Sequence, residues 1–198
     1  MRSRLFLPLI LMVLALPAQG ADRPANPAQQ TRYGLYVTAS EAHALMTGGQ
    51  ARYILVDVRD PIETMFTGST AMADIQLPWM TADPTAFDAG KGGYEMVRNP
   101  HFLPELESRL AALKADRSTP LIIMCRSGST RSAPVADLLY EHGYAAVYSM
   151  VDGFEGEPAK DGPHKGVRLV GGWRNSGLPW GYRIDPAKAW KRPEGDMK

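Results

Sequence analysis

The chain has 198 residues, of which 22 are basic and 21 acidic, so its formal net charge is +1. A charge balance this close to neutral excludes nucleic acid and anionic membranes as main partners, because both attract clustered positive charge. The single cysteine excludes an internal disulfide, and the length suits one domain with a substantial core.

The first residues have the features of a secretory signal peptide. Arg2 and Arg4 supply a positive start, residues 5–16 are almost wholly apolar, and Ala18-Gln19-Gly20 places small residues where a signal peptidase cleaves. The apolar stretch is shorter than the about 20 residues of a membrane span, and an uncleaved anchor is the alternative. We expect residues 1–20 to be removed and the mature protein to be exported, to the periplasm of a host with two membranes, with no membrane association.

The next segments predict a lead-in followed by alternating helices and strands. Residues 21–33 are rich in Ala, Pro, Gln and Asn and are expected to form a disordered lead-in. Thr38-Ala39-Ser40-Glu41 has the spacing of a capping box and predicts a short helix through Met46, which Gly48-Gly49 stops. Residues 53–58 are an apolar run typical of a buried parallel strand, and Pro61 suits the first turn of a following helix.

The middle of the chain continues this alternation. Residues 67–77 predict irregular structure with a brief strand at its end, and residues 79–100, with Pro84 and several glycines, predict a loop. Periodic leucines and short apolar runs then predict a helix over 102–114, a strand over 121–124, a helix over 132–142 and a strand over 146–151. The pattern predicts an α/β fold with a central parallel sheet flanked by helices.

The chain changes character after the last of these strands. Residues 152–172 hold six glycines and two prolines, and Trp173 and Trp180 follow them near a turn. These tryptophans are predicted to pack back over the domain, with a binding surface as the alternative. Residues 183–198 are predicted to be a C-terminal tail.

The only thiol of the chain lies on a predicted strand-to-helix loop. Cys125 opens this loop, and Ser132 begins the following helix. Backbone N–H groups converge at such a turn with the helix N-terminus, which binds anions and favours thiolate over thiol. The sequence therefore predicts that Cys125 is a nucleophile and that residues 126–131 form an anion cradle; a buried core cysteine is the alternative. The cradle consists of Arg126, Ser127, Gly128, Ser129, Thr130 and Arg131.

Each cradle residue has a predicted contribution. Arg126 and Arg131 supply positive charge, and Gly128 permits a backbone angle that other residues resist. The remaining three residues offer hydroxyl donors, although loop solubility alone would explain them. They are Ser127, Ser129 and Thr130.

These segments resemble the single-domain rhodanese-like sulfurtransferases. The resemblance is carried by Asp57-Val58-Arg59 with a following acidic residue, by Cys125-Arg126-Ser127-Gly128, and by Asp152-Gly153-Phe154 with the later Gly172-Trp173. It implies a doubly wound α/β domain over residues 34–182, in which the closing segment is split by an insertion near residues 157–170.

The resemblance also implies an activity. The cysteine would cycle between thiolate and persulfide without a cofactor. Sulfane sulfur would pass from a small anionic donor such as thiosulfate to a nucleophilic acceptor, either a thiol or a cyanide-like molecule. Asp57 and Arg59 are expected to be structural.

Two departures from the family pattern leave alternatives open. Gly68-Ser69-Thr70 stands where members often carry Gly-His-Ile, and Arg131 lies six positions after Cys125 where common bacterial rhodaneses have five. The Cys-x5-Arg spacing is shared with cysteine phosphatases and a related group of arsenate reductases, and a longer loop could accept a tetrahedral oxyanion. A phosphatase would also need a general acid, for which Asp60 and Asp83 are candidates. The third alternative is a non-catalytic docking module.

The histidines do not suggest a metal site. None of them has ligand spacing with the thiol or with a cluster of carboxylates, so we predict that the protein binds no metal. They are His43, His101, His142 and His164.

Overall fold

The structure, a computed structural model, describes residues 20–193. The predicted signal peptide, apart from Gly20, and the last five residues of the predicted tail lie outside the described residues. Between residues 20 and 193, no helix has the length and hydropathy needed to cross a membrane. A short 3-10 helix, Pro27–Gln29, precedes the main elements. These are β1 Tyr36–Val37, α1 Ala39–Thr47, β2 Ile54–Asp57, α2 Pro61–Thr67, β3 Ile75–Gln76, β4 Met80–Asp88, β5 Gly93–Arg98, α3 Phe102–Ala112, β6 Leu121–Met124, α4 Ser132–Glu141, β7 Val147–Met150, β8 Glu157–Pro158 and β9 Arg168–Val170.

Five parallel strands form the central sheet, in the order β1-β7-β6-β2-β3. Strand β6 lies between β2 and β7, and Asp57 at the end of β2 is in register with Met124 at the end of β6. Cys125 therefore follows at the same edge of the sheet as Asp57, the edge where parallel α/β sheets carry their sites. The predicted α/β fold with a central parallel sheet is confirmed.

Apolar side chains cover both faces of this sheet. On one face, Ile123 and Cys125 belong to a core cluster that also contains residues of α3 and α4. On the other face, Met124 packs in a cluster with Phe154 and Trp173. Alternate residues of a strand point to opposite faces, so the side chain of Cys125 shares the face covered by α3 and α4.

The predicted helix starts are confirmed in detail. In α1 the Thr38 hydroxyl accepts the Glu41 N–H at 3.2 Å, and the Glu41 carboxylate accepts the Thr38 N–H at 2.7 Å. Helix α2 has the same reciprocal arrangement between Asp60 and Glu63, with Pro61 in its first turn. These caps satisfy backbone donors that a helix cannot pair internally.

The prediction of a loop over residues 79–100 is wrong. Strands β4 and β5 form an antiparallel hairpin there, with a register shift between Asp83 and Phe87. Pro84 lies within this irregularity, where its missing N–H removes no ladder bond. Gly90 and Gly92 belong to the turn, in which the Asp88 carboxylate accepts the Gly90 N–H at 2.9 Å, and Gly93 begins β5.

Residues 21–33 also differ from their prediction. The segment was expected to be disordered, but the Asn26 side chain caps its 3-10 helix. The Ala21 N–H donates to the Tyr36 carbonyl at 3.0 Å, and the Arg32 N–H donates to the Asp137 carboxylate at 2.8 Å. These contacts attach the lead-in to the edge of the sheet and to α4.

The region after β7 packs back on the domain. Strands β8 and β9 form a small antiparallel hairpin within the predicted insertion. Trp173 is fully buried and its indole N–H donates to the Pro179 carbonyl at 2.9 Å, so the packing prediction for this residue is confirmed. Farther on, the Trp190 indole N–H donates to the Glu105 carboxylate at 2.8 Å, which holds the tail against α3.

Candidate active site

The cysteine loop is held by its carbonyl groups. The Phe154 N–H donates to the Cys125 carbonyl at 2.8 Å, and the Glu155 N–H donates to the Arg126 carbonyl at 2.9 Å. Within residues 20–193, by contrast, no protein acceptor takes the backbone N–H groups of residues 126–131. The loop therefore keeps unpaired donors next to the thiol, as an anion cradle requires.

Gly128 allows the loop to approach β7 closely. Its φ angle is +72°, and a Cβ atom at this position would lie 2.1 Å from the Val151 carbonyl oxygen. Gly153 supports the other side of the loop, where an added Cβ would lie 2.6 Å from the Cys125 carbonyl oxygen. The loop is thus packed against backbone on two sides, and the predicted need for glycine at position 128 has a steric cause.

Cys125 lies at the base of the loop and not on its rim. The residue is 1% exposed and shares its core cluster with Val58, Trp79 and Ile123. The alternative prediction, a buried core cysteine, is therefore correct for the position of Cys125. The surroundings of Cys125 are not wholly apolar, however, because the charge of Arg131 acts on it. The residue is therefore almost fully shielded from solvent.

Arg131 pairs with Glu63 on α2. One terminal nitrogen donates to Glu63 Oε1 at 2.9 Å and the other donates to Oε2, giving a two-point ion pair. Burial alone would lower the pKa of the Arg131 guanidinium, but the hydrogen bonds and charge of Glu63, with smaller contributions from Cys125 and Asp57, raise this pKa. Arg131 is therefore a fixed positive charge near the sulfur.

The same contact changes Glu63. Burial pushes the pKa of its carboxyl group upward, but the hydrogen bond and charge of Arg131 outweigh burial and leave this pKa below its ordinary value. The carboxylate consequently stays ionised at neutral pH. Sequence spacing assigned an acidic residue to this segment but did not pair it with the loop.

Arg126 has a different environment at the mouth of the loop. Its Nε donates to Glu155 Oε2 at 2.6 Å, and the other oxygen of Glu155 lies 3.0 Å from a terminal nitrogen of Arg174. The Arg126 side chain is 46% exposed, whereas Glu155 is buried. The guanidinium is thus anchored through Nε, and about half of the side chain is exposed. Sequence analysis missed both Glu155 and Arg174.

The loop hydroxyls divide into two groups. Ser127 Oγ and Ser129 Oγ lie 3.1 Å apart and share a hydrogen bond in which either is able to donate. Ser127 is buried, whereas Thr130 is exposed. The structure therefore places Ser127 and Ser129 together inside the loop and Thr130 on its outer surface.

Asp57 and Arg59 form a fully buried ion pair beneath the loop. Arg59 Nε and a terminal nitrogen donate to Asp57 at 2.9 and 2.6 Å, and the guanidinium lies 3.9 Å from the ring centre of Phe154. Phe154 in turn binds the Cys125 carbonyl. The pair supports the loop from below, in agreement with the structural role expected for it.

The segment that lacks the family histidine is also structural. The Ser69 N–H donates to the Gly181 carbonyl at 2.8 Å, and the Gly181 N–H donates back to the Ser69 carbonyl at 2.9 Å. The Arg59 guanidinium donates to the Gly68 carbonyl at 3.1 Å.

Residues 20–193 contain no group of three His, Cys, Asp or Glu side chains that could hold a metal ion.

The fold and the site together define a class: a parallel α/β domain with one thiol on the strand-to-helix loop at the carboxyl edge of its sheet. The sequence matches the Rhodanese-like domain family over residues 38–156, and the chain belongs to this family. The family includes sulfurtransferases, phosphatases and docking modules. The match ends where the β8–β9 hairpin begins.

A solved structure supports this assignment. The chain is similar to the crystal structure of Rv0390 from M. tuberculosis, with a TM-score of 0.57 and 31% sequence identity. The similarity covers 76% of this chain and 99% of that one. A comparison with curated proteins gave no match.

Proposed function

We propose that this protein is a sulfurtransferase that carries sulfane sulfur on Cys125. The observation that supports the proposal most is the loop itself, in which a nearly buried thiol lies beside unpaired N–H donors of residues 126–131. This setting suits a cargo of one anionic sulfur atom, because the donors stabilise its charge and the burial limits its size.

The proposed reaction has two steps, each of which breaks one sulfur–sulfur bond and forms one new bond to the transferred sulfur. In the first, the Cys125 thiolate attacks the outer sulfur of thiosulfate; a persulfide bond forms, and sulfite leaves with the electron pair of the broken bond. In the second, cyanide or a thiolate attacks the outer sulfur of the persulfide, and the electron pair returns to Cys125. This is double-displacement catalysis through a covalent intermediate.

The two loop arginines have separate parts in this scheme. Arg131, held by Glu63, supplies positive charge near the sulfur of Cys125. Arg126 is half-exposed and is held through Nε, so we assign its terminal nitrogens to the oxygen atoms of an incoming donor. Both charges favour the approach of an anionic donor.

Phosphate-ester hydrolysis has less support in this geometry. Both terminal nitrogens of Arg131 already bind Glu63. Asp60 uses its two oxygens to accept the Ile62 and Ala82 N–H groups, each at 2.7 Å. The hydroxyl of Thr85 lowers the pKa of Asp83, so that carboxylate has no proton to donate at neutral pH. Neither candidate is therefore arranged as a general acid.

Mass spectrometry of the intact protein tests the proposal. Incubation with thiosulfate should add one sulfur atom to the wild type, and cyanide should remove it. Cys125→Ser should gain nothing. Hydrolysis of an aryl phosphate without sulfur uptake would establish the phosphatase alternative. If the protein carries out neither reaction, the result would support the docking module.

A further inference from the structure

Five large apolar side chains lie exposed on one side of the cysteine loop. Ile62, Met65 and Phe66 are exposed on α2, at the i, i+3 and i+4 spacing of one helical stripe, and Phe66 is 72% exposed. Trp180 and Tyr182 are also exposed, Tyr182 to 64%. We call these five residues the outer strip. Exposed apolar residues that lie together mark an interaction site, whereas single ones are ordinary.

Direct contacts join the two parts of the outer strip. The segment with the two aromatic residues pairs with the chain that leaves α2, through the backbone bonds between Ser69 and Gly181. The Trp180 ring packs on Gly68, where an added Cβ would lie 2.7 Å from a ring carbon. The Trp180 and Tyr182 rings meet edge to face, with their centres 5.4 Å apart. The strip is therefore one surface that continues from α2 onto this segment.

The outer strip borders the cysteine loop through two further contacts. Glu63 belongs to the same helix as the strip, and its carboxylate holds Arg131 of the loop. The ring of Phe154, whose N–H donates to the Cys125 carbonyl, lies edge to face with Trp180 at 6.3 Å between centres. A partner seated on the strip would consequently lie next to the loop.

Positive charge separates the strip from the loop. The guanidinium carbon of Arg174 lies 5.7 Å from the centre of the Trp180 ring. Arg174 and Arg126 share the single carboxylate of Glu155, so this cluster has two positive charges and one negative charge. A carboxylate on the partner would balance the remaining charge. The surface therefore fits a partner that combines apolar side chains with acidic residues.

We propose that the outer strip docks a partner protein that presents the acceptor thiol on an apolar segment flanked by carboxylates. The proposal rests on the sulfurtransferase function and names the class of its acceptor. The partner's thiol loses its proton to solvent, and the resulting thiolate attacks the outer sulfur of the Cys125 persulfide. The persulfide bond breaks, its electron pair returns to Cys125 as thiolate, and the partner leaves as a persulfide.

A protein fits this surface better than a small thiol or a membrane does. A small thiol would contact only the loop and would gain nothing from apolar side chains along α2. Membrane-binding surfaces carry clustered positive charge, whereas the formal net charge of this chain is +1. Cys125 is also almost fully buried, so a cysteine that projects from a protein segment can approach it more closely than a flat bilayer can.

Synthetic peptides test the chemistry of the partner. The persulfide form of the wild type is mixed with a peptide that carries one cysteine between leucine and phenylalanine residues, with glutamates at both ends. Mass spectrometry follows the transfer of sulfur to the peptide. Replacement of the glutamates by lysine should slow transfer about fivefold at low salt, and replacement of the apolar residues by serine should slow it about tenfold. Each rate is divided by the peptide's rate with a small disulfide, which removes differences in thiol reactivity.

A change in the protein should have the same selectivity. Phe66→Ser should slow transfer to the acidic apolar peptide about tenfold and leave transfer to cyanide within about twofold, because cyanide needs no docking surface. Phe87→Ser is the matched control. Phe87 is a 62% exposed aromatic residue next to the turn of the β4–β5 hairpin, at the opposite end from the contact between Ala82 and Asp60. Both substitutions are at exposed positions, so the melting temperatures should stay close to that of the wild type.

A binding measurement does not depend on sulfur transfer. The same peptide with serine in place of its cysteine and a fluorescent label should bind the wild type and Phe87→Ser equally, and Phe66→Ser about tenfold more weakly, as read from fluorescence anisotropy. If the wild type takes up no sulfur, the sulfurtransferase function fails, and this measurement still tests the strip.

Three results would overturn the docking proposal alone. One is transfer to cyanide by a wild type that treats all the peptides alike, with Phe66→Ser equal to Phe87→Ser. The second is a dimer of the wild type in analytical ultracentrifugation that Phe66→Ser abolishes without any peptide preference, which would assign the strip to a second copy of the chain. The third is sedimentation of the wild type, but not of Phe66→Ser, with phosphatidylglycerol vesicles without any peptide preference, which would assign it to a membrane.

Discussion

Arg131 and Glu63, 68 residues apart in the chain, form a two-point ion pair that joins the cysteine loop to the first turn of α2. Glu63 also accepts the Asp60 N–H at 3.0 Å, and Asp60 accepts the Ala82 N–H from the β4–β5 hairpin at 2.7 Å. The loop, α2 and the base of the hairpin are therefore one connected unit. A change at Glu63 should affect both the helix cap and the charge beside Cys125.

Glu63→Ala should destabilise the protein by about 2 kcal/mol, because it leaves the largely buried Arg131 without its partner and removes half of a capping box. Urea unfolding followed by circular dichroism measures the change. Glu141→Ala is the control, since its ion pair with Arg32 is half-exposed at both side chains; it should change stability by about 0.5 kcal/mol or less. Equal losses in the two variants would contradict the role assigned to the Arg131–Glu63 pair.

The same carboxyl group predicts a pH dependence of stability. The pKa of Glu63 is lower in the folded protein than its ordinary value of 4.5, so the folded state favours the charged form. This stabilisation is complete above pH 4.5 and is lost as the pH falls through the lower folded-state pKa. The melting temperature should therefore decrease as the pH is lowered below 4.5, and Glu63→Gln should make this decrease smaller.

Asp152 has the opposite effect on the pH dependence of stability. The contribution of Glu63 must therefore be measured as a difference between two proteins. Burial raises the pKa of its carboxyl group, which accepts the Ala39 and Gly172 N–H groups at 2.8 Å each. A raised pKa in a carboxyl group favours the folded state as the pH falls. The test is therefore the gap between wild type and Glu63→Gln, which should close toward acidic pH. A constant gap would contradict the prediction.

The elements that carry the cysteine could be predicted from local sequence. The apolar run before Cys125 and the periodic residues after Ser132 specify a strand and a helix, because both patterns follow from neighbouring residues. Glycine at position 128 is also a local signal, and its φ of +72° agrees with the expectation. These features locate the thiol at the carboxyl edge of the sheet.

The ion pairs and the hairpin could not be predicted in this way. Glu155 lies 29 residues from Arg126 and meets it only because the chain returns past the loop after β7. No spacing rule connects them. The β4–β5 hairpin was missed because Pro84 is a strand breaker unless it falls at an irregularity of the ladder, as it does here.

Gly128→Ala should abolish sulfur loading and destabilise the protein by more than about 2 kcal/mol, because a Cβ would overlap the Val151 carbonyl in addition to straining the backbone. Gly162→Ala separates the two effects. Its φ is +73°, but no atom lies within 4 Å of an added Cβ. The control should lose about 1 kcal/mol and load sulfur normally. Normal loading by Gly128→Ala would show that the loop tolerates displacement from β7.

Arg126→Gln should raise the KM for thiosulfate about five- to tenfold and leave kcat within about twofold, because it removes a charge-assisted contact to the donor outside the bond-breaking region. The Arg126 side chain is 46% exposed, so added salt should reduce the difference in KM between the wild type and the variant. Arg117→Gln is the matched control, since Arg117 pairs with Glu107 in a half-exposed contact and precedes β6, whereas the cysteine loop follows that strand. Its kinetics should equal those of the wild type.

Steady-state cyanolysis at two ionic strengths measures both effects of the Arg126 change. Glu155 keeps its contact with Arg174 in the variant, so the base of the insertion should remain folded and the melting temperature should change little. A fall in kcat with an unchanged KM would contradict the assignment, because the guanidinium would then act on the departing sulfite and not on the incoming donor.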